Sequence, residues 1–124
     1  MSQAQRSVLV IDDDPRLRQV VAMYLGIEGY QVFTASNGAQ GLAEVEARRP
    51  HAVIVDVMMP GMDGVETCRR LRANPATQDV PVLMLTALGG DDAAEKARQA
   101  GATQFLTKPF NLVGLGQALK SLVP

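Results

Sequence analysis

The sequence sets a carboxylate, a hydroxyl or an ammonium group at the end of several short apolar runs. Asp12 and Asp13 follow the first run, Asp56 ends another, Thr86 follows a later one, and Lys108 comes after a fourth. A phosphoryl-transfer site needs an oxygen nucleophile beside groups that neutralise the oxygens of the transferred phosphoryl group. These five side chains are therefore candidates for one site if the fold brings them together.

The charges of these five side chains predict a bound metal ion. Three carboxylates and one ammonium would leave about two net negative charges in one crevice, and a divalent cation would cancel them. Oxygen ligands without His or Cys favour Mg²⁺ or Mn²⁺ over Zn²⁺, and Mg²⁺ commonly adds a phosphate oxygen to one or two carboxylates. In such a site Asp56 is the predicted nucleophile, Lys108 neutralises equatorial oxygens, and Thr86 donates a hydrogen bond.

The apolar runs have the pattern of strands buried on both faces. Val8–Ile11 and Ala52–Val55 are apolar without alternation, which is typical of parallel strands covered by helices on both sides. Pro60 and Gly61 prevent the second of these from continuing as a strand or a helix. Asp56 is thus predicted at the carboxyl end of a rigid strand.

Helical patterns alternate with the strands. Asp14 followed by Pro15 predicts a helix start, and apolar residues at helical spacing give that helix one inward face: Leu17, Val20, Val21, Tyr24 and Leu25. A helix beginning at Asp63 is predicted to turn its charged residues outward: Glu66, Arg69, Arg70 and Arg72. A later helix, opened by Gly89 and Gly90, has small inward residues and should be mobile: Ala93, Ala94, Ala97 and Ala100.

Five βα units in succession predict an α/β fold, a doubly wound parallel five-stranded sheet with helices on both faces. In such sheets ligands bind at the carboxyl ends of the strands, where the strand order reverses. If the first and third strands are neighbours there, Asp12, Asp13 and Asp56 converge, with Thr86 and Lys108 alongside.

Bulk properties narrow the class of protein. The 124 residues suit a single domain, with residues 1–6 as a polar N-terminal tail that lacks a signal peptide's apolar centre. A net charge of −1 gives no basic surface for direct binding of nucleic acid or anionic lipid, and no apolar run approaches a membrane span. The single cysteine, Cys68, cannot form an internal disulfide, so a cytoplasmic location is expected.

Four motifs carry a family resemblance over nearly the whole chain, from Ser7 to Val123. They are Val8–Pro15, Asp56 with Met59–Gly64, Leu85–Ala87 and Phe105–Phe110. With them the sequence resembles the receiver domain of bacterial two-component response regulators, a group that includes the single-domain chemotaxis regulator. The resemblance implies a flavodoxin-like sheet with strand order 2-1-3-4-5.

The resemblance also implies a role for each site residue. Asp56 would accept a phosphoryl group, with Mg²⁺ held by Asp13, Asp56 and the Met58 carbonyl and by Asp12 through water. Lys108 would pair with phosphoryl oxygens, and the peptide bond between Lys108 and Pro109 is expected to be cis. Thr86 would move toward the phosphoryl group, which frees space for the ring of Phe105 to turn inward and changes the face made by the fourth helix, fifth strand and fifth helix. Many family members have Tyr in place of Phe105, so here the switch would work by packing alone.

The implied partners are a sensor histidine kinase or phosphotransfer protein, which supplies a phosphohistidine, and a downstream protein that reads the changed face. The receiver would be a signalling switch that catalyses its own phosphorylation and slow dephosphorylation. Two alternatives belong to other classes. A Mg²⁺-dependent aspartyl phosphatase typically has a second Asp two residues after the nucleophile, where this chain has Met58. The second alternative is a phosphorylation-independent interaction module or a flavodoxin-like nucleotide binder. However, no Gly-rich loop follows Ile11, and the acids there would repel a phosphate in the absence of metal.

Overall fold

A computed structural model describes residues 5–86 and 91–123, with only the backbone over 91–94. Residues 1–4 of the predicted tail, Ala87 of the third motif and the predicted helix-opening residues Gly89 and Gly90 lie outside these ranges. The strands are β1 (Ser7–Ile11), β2 (Gln31–Ala35), β3 (Ala52–Asp56), β4 (Val82–Thr86) and β5 (Gln104–Thr107). The helices are α1 (Pro15–Ile27), α2 (Gly38–Arg48), α3 (Gly64–Ala73), α4 (Asp91–Ala100) and α5 (Leu112–Leu122).

The strands form one parallel sheet in the order β2-β1-β3-β4-β5, which confirms the predicted α/β fold. The order reverses between β1 and β3, where Ile11 lies beside Val55. On the other side of β3, Asp56 lies beside Leu85, and Thr86 lies beside Thr107. All five strands therefore end at the same edge of the sheet.

Helices cover both faces of the sheet because each central strand is apolar on both sides. One face of the sheet packs against α1 and α5 through buried residues that include Val10, Ile54, Val21 and Leu115. The other face packs against α2, α3 and α4 through residues that include Ile11, Val55, Leu71 and Ala97. Two apolar layers thus hold the sheet rigidly between helices, and its carboxyl edge stays open to solvent at the loops.

Polar residues fix the helix starts that border this edge. Asp14 accepts hydrogen bonds from the backbone amides of Arg16 and Leu17 at 3.0 and 3.4 Å, and Pro15 occupies the first helical position, as the sequence predicts. Asp63 accepts a hydrogen bond from the amide of Glu66 at 2.8 Å and so begins α3. These caps decide where the loops that carry the acidic residues end.

Some local expectations are wrong. Val20 is 48% exposed, because the buried stripe of α1 is centred on Val21 and Leu25 and Val20 lies about 100° away around the helix. Arg72 does not extend into solvent but bonds to backbone carbonyls of two loops. Arg6, the last residue of the predicted tail, lies directly before β1, and its carbonyl accepts a hydrogen bond from the amide of Gln31 at 2.9 Å.

The predicted small core face of α4 is confirmed at Ala97 and Ala100, which are both buried, while Ala93 and Ala94 lie among the residues whose side chains are not described. Within residues 5–86 and 91–123, no helix combines the length and apolarity that a bilayer crossing requires.

Candidate functional site

The reversal of strand order brings three carboxylates together at the open edge. Asp12 and Asp13 follow β1, and Asp56 is the last residue of the neighbouring strand β3. Their carboxylate oxygens lie within 4.8 Å of one another. Asp12 and Asp56 are buried and Asp13 is exposed, so the cluster is shielded from solvent at Asp12 and Asp56 and accessible to solvent at Asp13.

The backbone around Asp12 holds its carboxylate in this position. The amide of Asp12 donates to the carbonyl of Ala35 at 3.1 Å, which continues the pairing of β1 with β2. Its Oδ1 accepts the amide of Asp14 at 2.9 Å, and its backbone carbonyl accepts Nη1 of Arg18 at 2.8 Å. Asp12 is thus fixed at its amide, its carbonyl and one carboxylate oxygen. Nothing in the sequence pattern pointed to Arg18, because its acceptor is a backbone oxygen.

Burial raises the pKa of the Asp12 carboxyl above its ordinary value, because the charged form loses its hydration. The hydrogen bond from the Asp14 amide opposes this rise, and so does the positive charge of Lys108. The negative charges of Asp56 and Asp13 add to it. The cluster therefore carries electrostatic repulsion that a bound cation would relieve.

Asp56 has one partner on each carboxylate oxygen. Its side chain is 5% exposed, Oδ1 accepts the backbone amide of Met58 at 3.2 Å, and Oδ2 lies 3.0 Å from Nζ of Lys108. A buried carboxylate requires such compensation. Lys108, which directly follows β5, reaches it across β4, and its own side chain is 25% exposed. The ammonium is thus positioned between the buried carboxylate and solvent.

The ends of β4 and β5 position the remaining candidates. Thr86 is the last residue of β4 and is 2% exposed. Its carbonyl accepts the amide of Lys108 at 2.7 Å, which links Lys108 to the strand beside Asp56. The peptide bond between Lys108 and Pro109 is cis. Phe105 lies outside the acidic cluster. It belongs to β5, where it lies beside Met84 of β4, and 38% of its surface is exposed.

The loop after Asp56 depends on Gly64, whose structural role is not evident from the sequence pattern. The amide of Gly64 donates to the carbonyl of Val57 at 3.0 Å. A Cβ at position 64 would lie 2.8 Å from Cα of Val57 and closer still to the carbonyl oxygen of Asp56. Only glycine lets α3 begin this near the strand that carries Asp56. Met58, between these points, has a 58% exposed side chain at the rim.

Comparison with known proteins gives one consistent assignment. A family model described as the response regulator receiver domain matches residues 8–120. The protein PilG of Pseudomonas aeruginosa is 38% identical over 117 residues, which cover 94% of this chain and 87% of PilG. The phosphate regulon transcriptional regulatory protein PhoB of the same species is 35% identical and is matched over 52% of its length.

Solved structures agree with these matches. A crystal structure of the chemotaxis protein CheY4 of Vibrio cholerae superposes with a TM-score of 0.92 at 35% identity, over 97% of this chain and 100% of that one. Several curated relatives are much longer than the region matched: the chain spans about half of PhoB and 25% of the response regulator PleD of Caulobacter vibrioides.

Proposed function

Because this chain belongs to the response regulator receiver domain family, whose members act in signal transduction, we propose that Asp56 accepts a phosphoryl group from a phosphohistidine. The donor is a sensor histidine kinase or a phosphotransfer protein. The observation that carries the proposal is the contact of 3.0 Å between Oδ2 of the buried Asp56 and Nζ of Lys108, beside the carboxylates of Asp12 and Asp13. An isolated buried ion pair would not need two further acids.

In the proposed transfer, a carboxylate oxygen of Asp56 attacks phosphorus and an O–P bond forms. The N–P bond to the donor imidazole breaks, and its electron pair stays on the ring nitrogen, which takes a proton. The ammonium of Lys108 is already within bonding distance of Oδ2, so it can follow the phosphoryl oxygens with little rearrangement. Slow attack by water on the acyl phosphate returns the free carboxylate, so the receiver is a switch that catalyses its own modification and its own reset.

The acidic cluster fits a hard divalent cation. Its ligands are carboxylate oxygens within 4.8 Å of one another, a set that suits Mg²⁺ or Mn²⁺. Asp13, Asp56 and the carbonyl of Met58 would hold the ion directly, and Asp12 would hold it through water. When bound, the ion supplies positive charge that offsets the carboxylates and the incoming phosphoryl oxygens.

The proposed output depends on Thr86 and Phe105. The buried Thr86 follows Leu85, the neighbour of Asp56 in the sheet, so its hydroxyl can reorient toward a phosphoryl group there. The exposed ring of Phe105 then turns inward, and the face made by α4, β5 and α5 changes. A shift from mostly one conformer to mostly the other requires roughly 3 to 5 kcal/mol, which one set of charged hydrogen bonds can supply.

A downstream protein, not nucleic acid or membrane, is the proposed reader of this face. The cytoplasm is the proposed location because histidine kinases draw on ATP there.

Burial raises the pKa of the Cys68 thiol, which keeps it a neutral core residue. The phosphatase alternative has less support: the Met58 side chain has no proton to exchange where a second acid would be needed.

Intact mass spectrometry after incubation with acetyl phosphate or phosphoramidate tests the proposal. We expect the wild type to gain the mass of one phosphoryl group with Mg²⁺ and to gain none after chelation, and Asp56→Ala to gain none. Asp63→Asn, which keeps the helix cap and lies outside the cluster, is the matched control and should gain it normally. An equal gain by Asp56→Ala would refute the assignment, and steady turnover of phosphate esters would favour the phosphatase.

A further inference from the structure

Arg72, at the end of α3, ties together two loops that are distant in sequence. Its Nε donates to the carbonyl of Gly101 at 2.9 Å, and Nη1 donates to the carbonyl of Gln78 at 2.9 Å and also to that of Val80. Nη2 lies 3.4 Å from Oγ1 of Thr103. One side chain therefore bonds the segment before β4 and the segment between α4 and β5.

These contacts use the geometry of a guanidinium group and not only its charge. All three guanidinium nitrogens take part at once, each with its own acceptor or acceptors, which the single ammonium nitrogen of Lys cannot do. Among the described residues, Arg72 makes no ion pair with a carboxylate, in contrast to Arg70, which pairs with Glu66 at 2.9 Å. Arg72 thus acts mainly by bonding backbone carbonyls, and these bonds fix the positions of the two loops.

Gly101 is shaped to receive the Arg72 side chain. Its φ of +99° lies in the left-handed region that favours glycine. A Cβ at this position would lie 2.7 Å from Cγ of Arg72. The stem of Arg72 therefore packs directly on the backbone where α4 ends, while its head bonds the carbonyl of the same residue.

The chain that leaves α4 is held by further bonds around this contact. The amide of Gly101 donates to the backbone carbonyl of Arg98 at 3.0 Å, and the amide of Ala102 donates to the carbonyl of Ala97 at 3.0 Å. The amide of Thr103 donates to the carbonyl of Val82 at 2.9 Å, and Oγ1 of Thr103 accepts the Val82 amide at 3.0 Å. Gly101 and Ala102 are thus bonded to the last turn of α4, and Thr103 is bonded to the beginning of β4.

The N-terminal end of α4 comes shortly after the proposed phosphoryl site in the sequence. Thr86 ends β4, and α4 begins at Asp91, after four residues outside the described part. The inward residues near the end of α4 are the small Ala97 and Ala100, which bury little area and oppose tilting weakly. One end of α4 is therefore fastened, while the opposite end follows the residue expected to move.

We infer that Arg72 is a positioning residue for the switch: it clamps residues 101–103, so that α4 responds to phosphorylation by pivoting about its C-terminal end. This inference rests on the proposed function for the phosphorylation step, whereas the clamp itself is a property of the unmodified protein. Without the clamp, the displacement would spread into the connection to β5.

Amide-resolved ¹H–¹⁵N NMR tests both parts, with Arg72→Lys to keep the charge, Arg72→Met to keep the apolar stem, and Arg70→Lys as the matched control on the exposed side of α3. In the unmodified protein, we expect amide hydrogen exchange at residues 101–103 to be roughly 10- to 100-fold faster in both Arg72 variants, the effect of losing a charged hydrogen bond, and unchanged in Arg70→Lys. Unchanged exchange in the Arg72 variants would overturn the clamp.

The same samples with acetyl phosphate and Mg²⁺ test the pivot, with phosphorylation verified by intact mass. In the wild type, we expect amide shifts to change over residues 91–96 and to stay constant over 101–103. In Arg72→Lys, the changes should extend into 101–103. Equal changes along the whole of α4 in the wild type, or the same pattern in wild type and Arg72→Lys, would overturn the pivot. No gain of mass would overturn the proposed function and the pivot with it, and would leave the exchange result to decide the clamp.

Discussion

Replacing Asp12 with Asn should stabilise the protein when no divalent cation is present. Asp12 is 1% exposed, and burial together with the charges of Asp56 and Asp13 raises the pKa of its carboxyl. Asn has nearly the same shape and can still accept the Asp14 amide through Oδ1. The substitution therefore removes the buried charge and keeps the loop.

The magnitude follows from the separation of the charges. Two unit charges at the 4.8 Å limit of the cluster interact by about 3.5 kcal/mol at an effective dielectric constant of about 20. Lys108, 3.0 Å from Asp56, offsets part of the repulsion, and the exposure of Asp13 lets solvent screen more of it. We expect a net gain of about 1–3 kcal/mol in the free energy of unfolding, or about 4 to 12 °C in Tm for a chain of this size.

The gain should depend on pH with a definite sign. Since the pKa of Asp12 is raised in the folded state, its contribution to stability is fully present below its ordinary pKa of 3.8 and is lost as pH rises through the folded value. The difference between Asp12→Asn and wild type should therefore be near zero in acid and reach its maximum above that folded value. Urea unfolding followed by circular dichroism, with chelator, measures it.

Asp14→Asn is the matched control, because it removes a charge two residues away and Asn caps a helix as well as Asp does. It should change the free energy of unfolding by less than about 0.5 kcal/mol. Added Mg²⁺ should stabilise the wild type more than Asp12→Asn and so narrow the gap. If Asp12→Asn were no more stable than Asp14→Asn at neutral pH without metal, the electrostatic reasoning would be wrong.

Three further substitutions test other parts of the site. Lys108→Met should slow the gain of mass from acetyl phosphate by roughly 10- to 100-fold, since it removes a charged hydrogen bond worth about 1.5–3 kcal/mol; an unchanged rate would remove Lys108 from the mechanism. Thr86→Ala should still gain the phosphoryl group but lose the accompanying NMR shifts over α4, β5 and α5; shifts equal to those of phosphorylated wild type would contradict its role as coupler. Gly64→Ala should lower the free energy of unfolding by about 1–3 kcal/mol because its Cβ would meet backbone, whereas Gly26→Ala, in open space within α1, should raise it by about 0.5–1 kcal/mol; thermal melts that rank the two variants in the opposite order would refute this.

The gathering of Asp12, Asp13 and Asp56 could be predicted because parallel strands with polar ends share one edge of the sheet, and because the family resemblance implied that the first and third strands are neighbours. Unalternating apolar runs identified the strands, and the pair Asp14–Pro15 identified the helix start with its cap. These signals are local, and each depends on the type of residue at a fixed spacing. The convergence of the acids then follows from topology.

Features that depend on backbone oxygens cannot be predicted from residue types and spacing. Arg72 and Arg18 both bond to carbonyls, which every residue supplies, so no partner residue marks their destination. The need for glycine at position 64 arises from how closely α3 approaches β3, a distance that periodicity does not encode. Val20 has the spacing of a core residue, but the width of the buried stripe is set by how α1 lies on the sheet.

The most direct test of the central claim is to locate the phosphoryl group. Borohydride reduces an aspartyl phosphate to homoserine, so protein treated with acetyl phosphate and Mg²⁺, then reduced and digested, reports the acceptor by peptide sequencing. Homoserine at position 56 alone, and none without Mg²⁺, is the expected result. Homoserine at position 12 or 13, or a phosphoryl group that resists borohydride, would contradict the assignment of Asp56 as the acceptor.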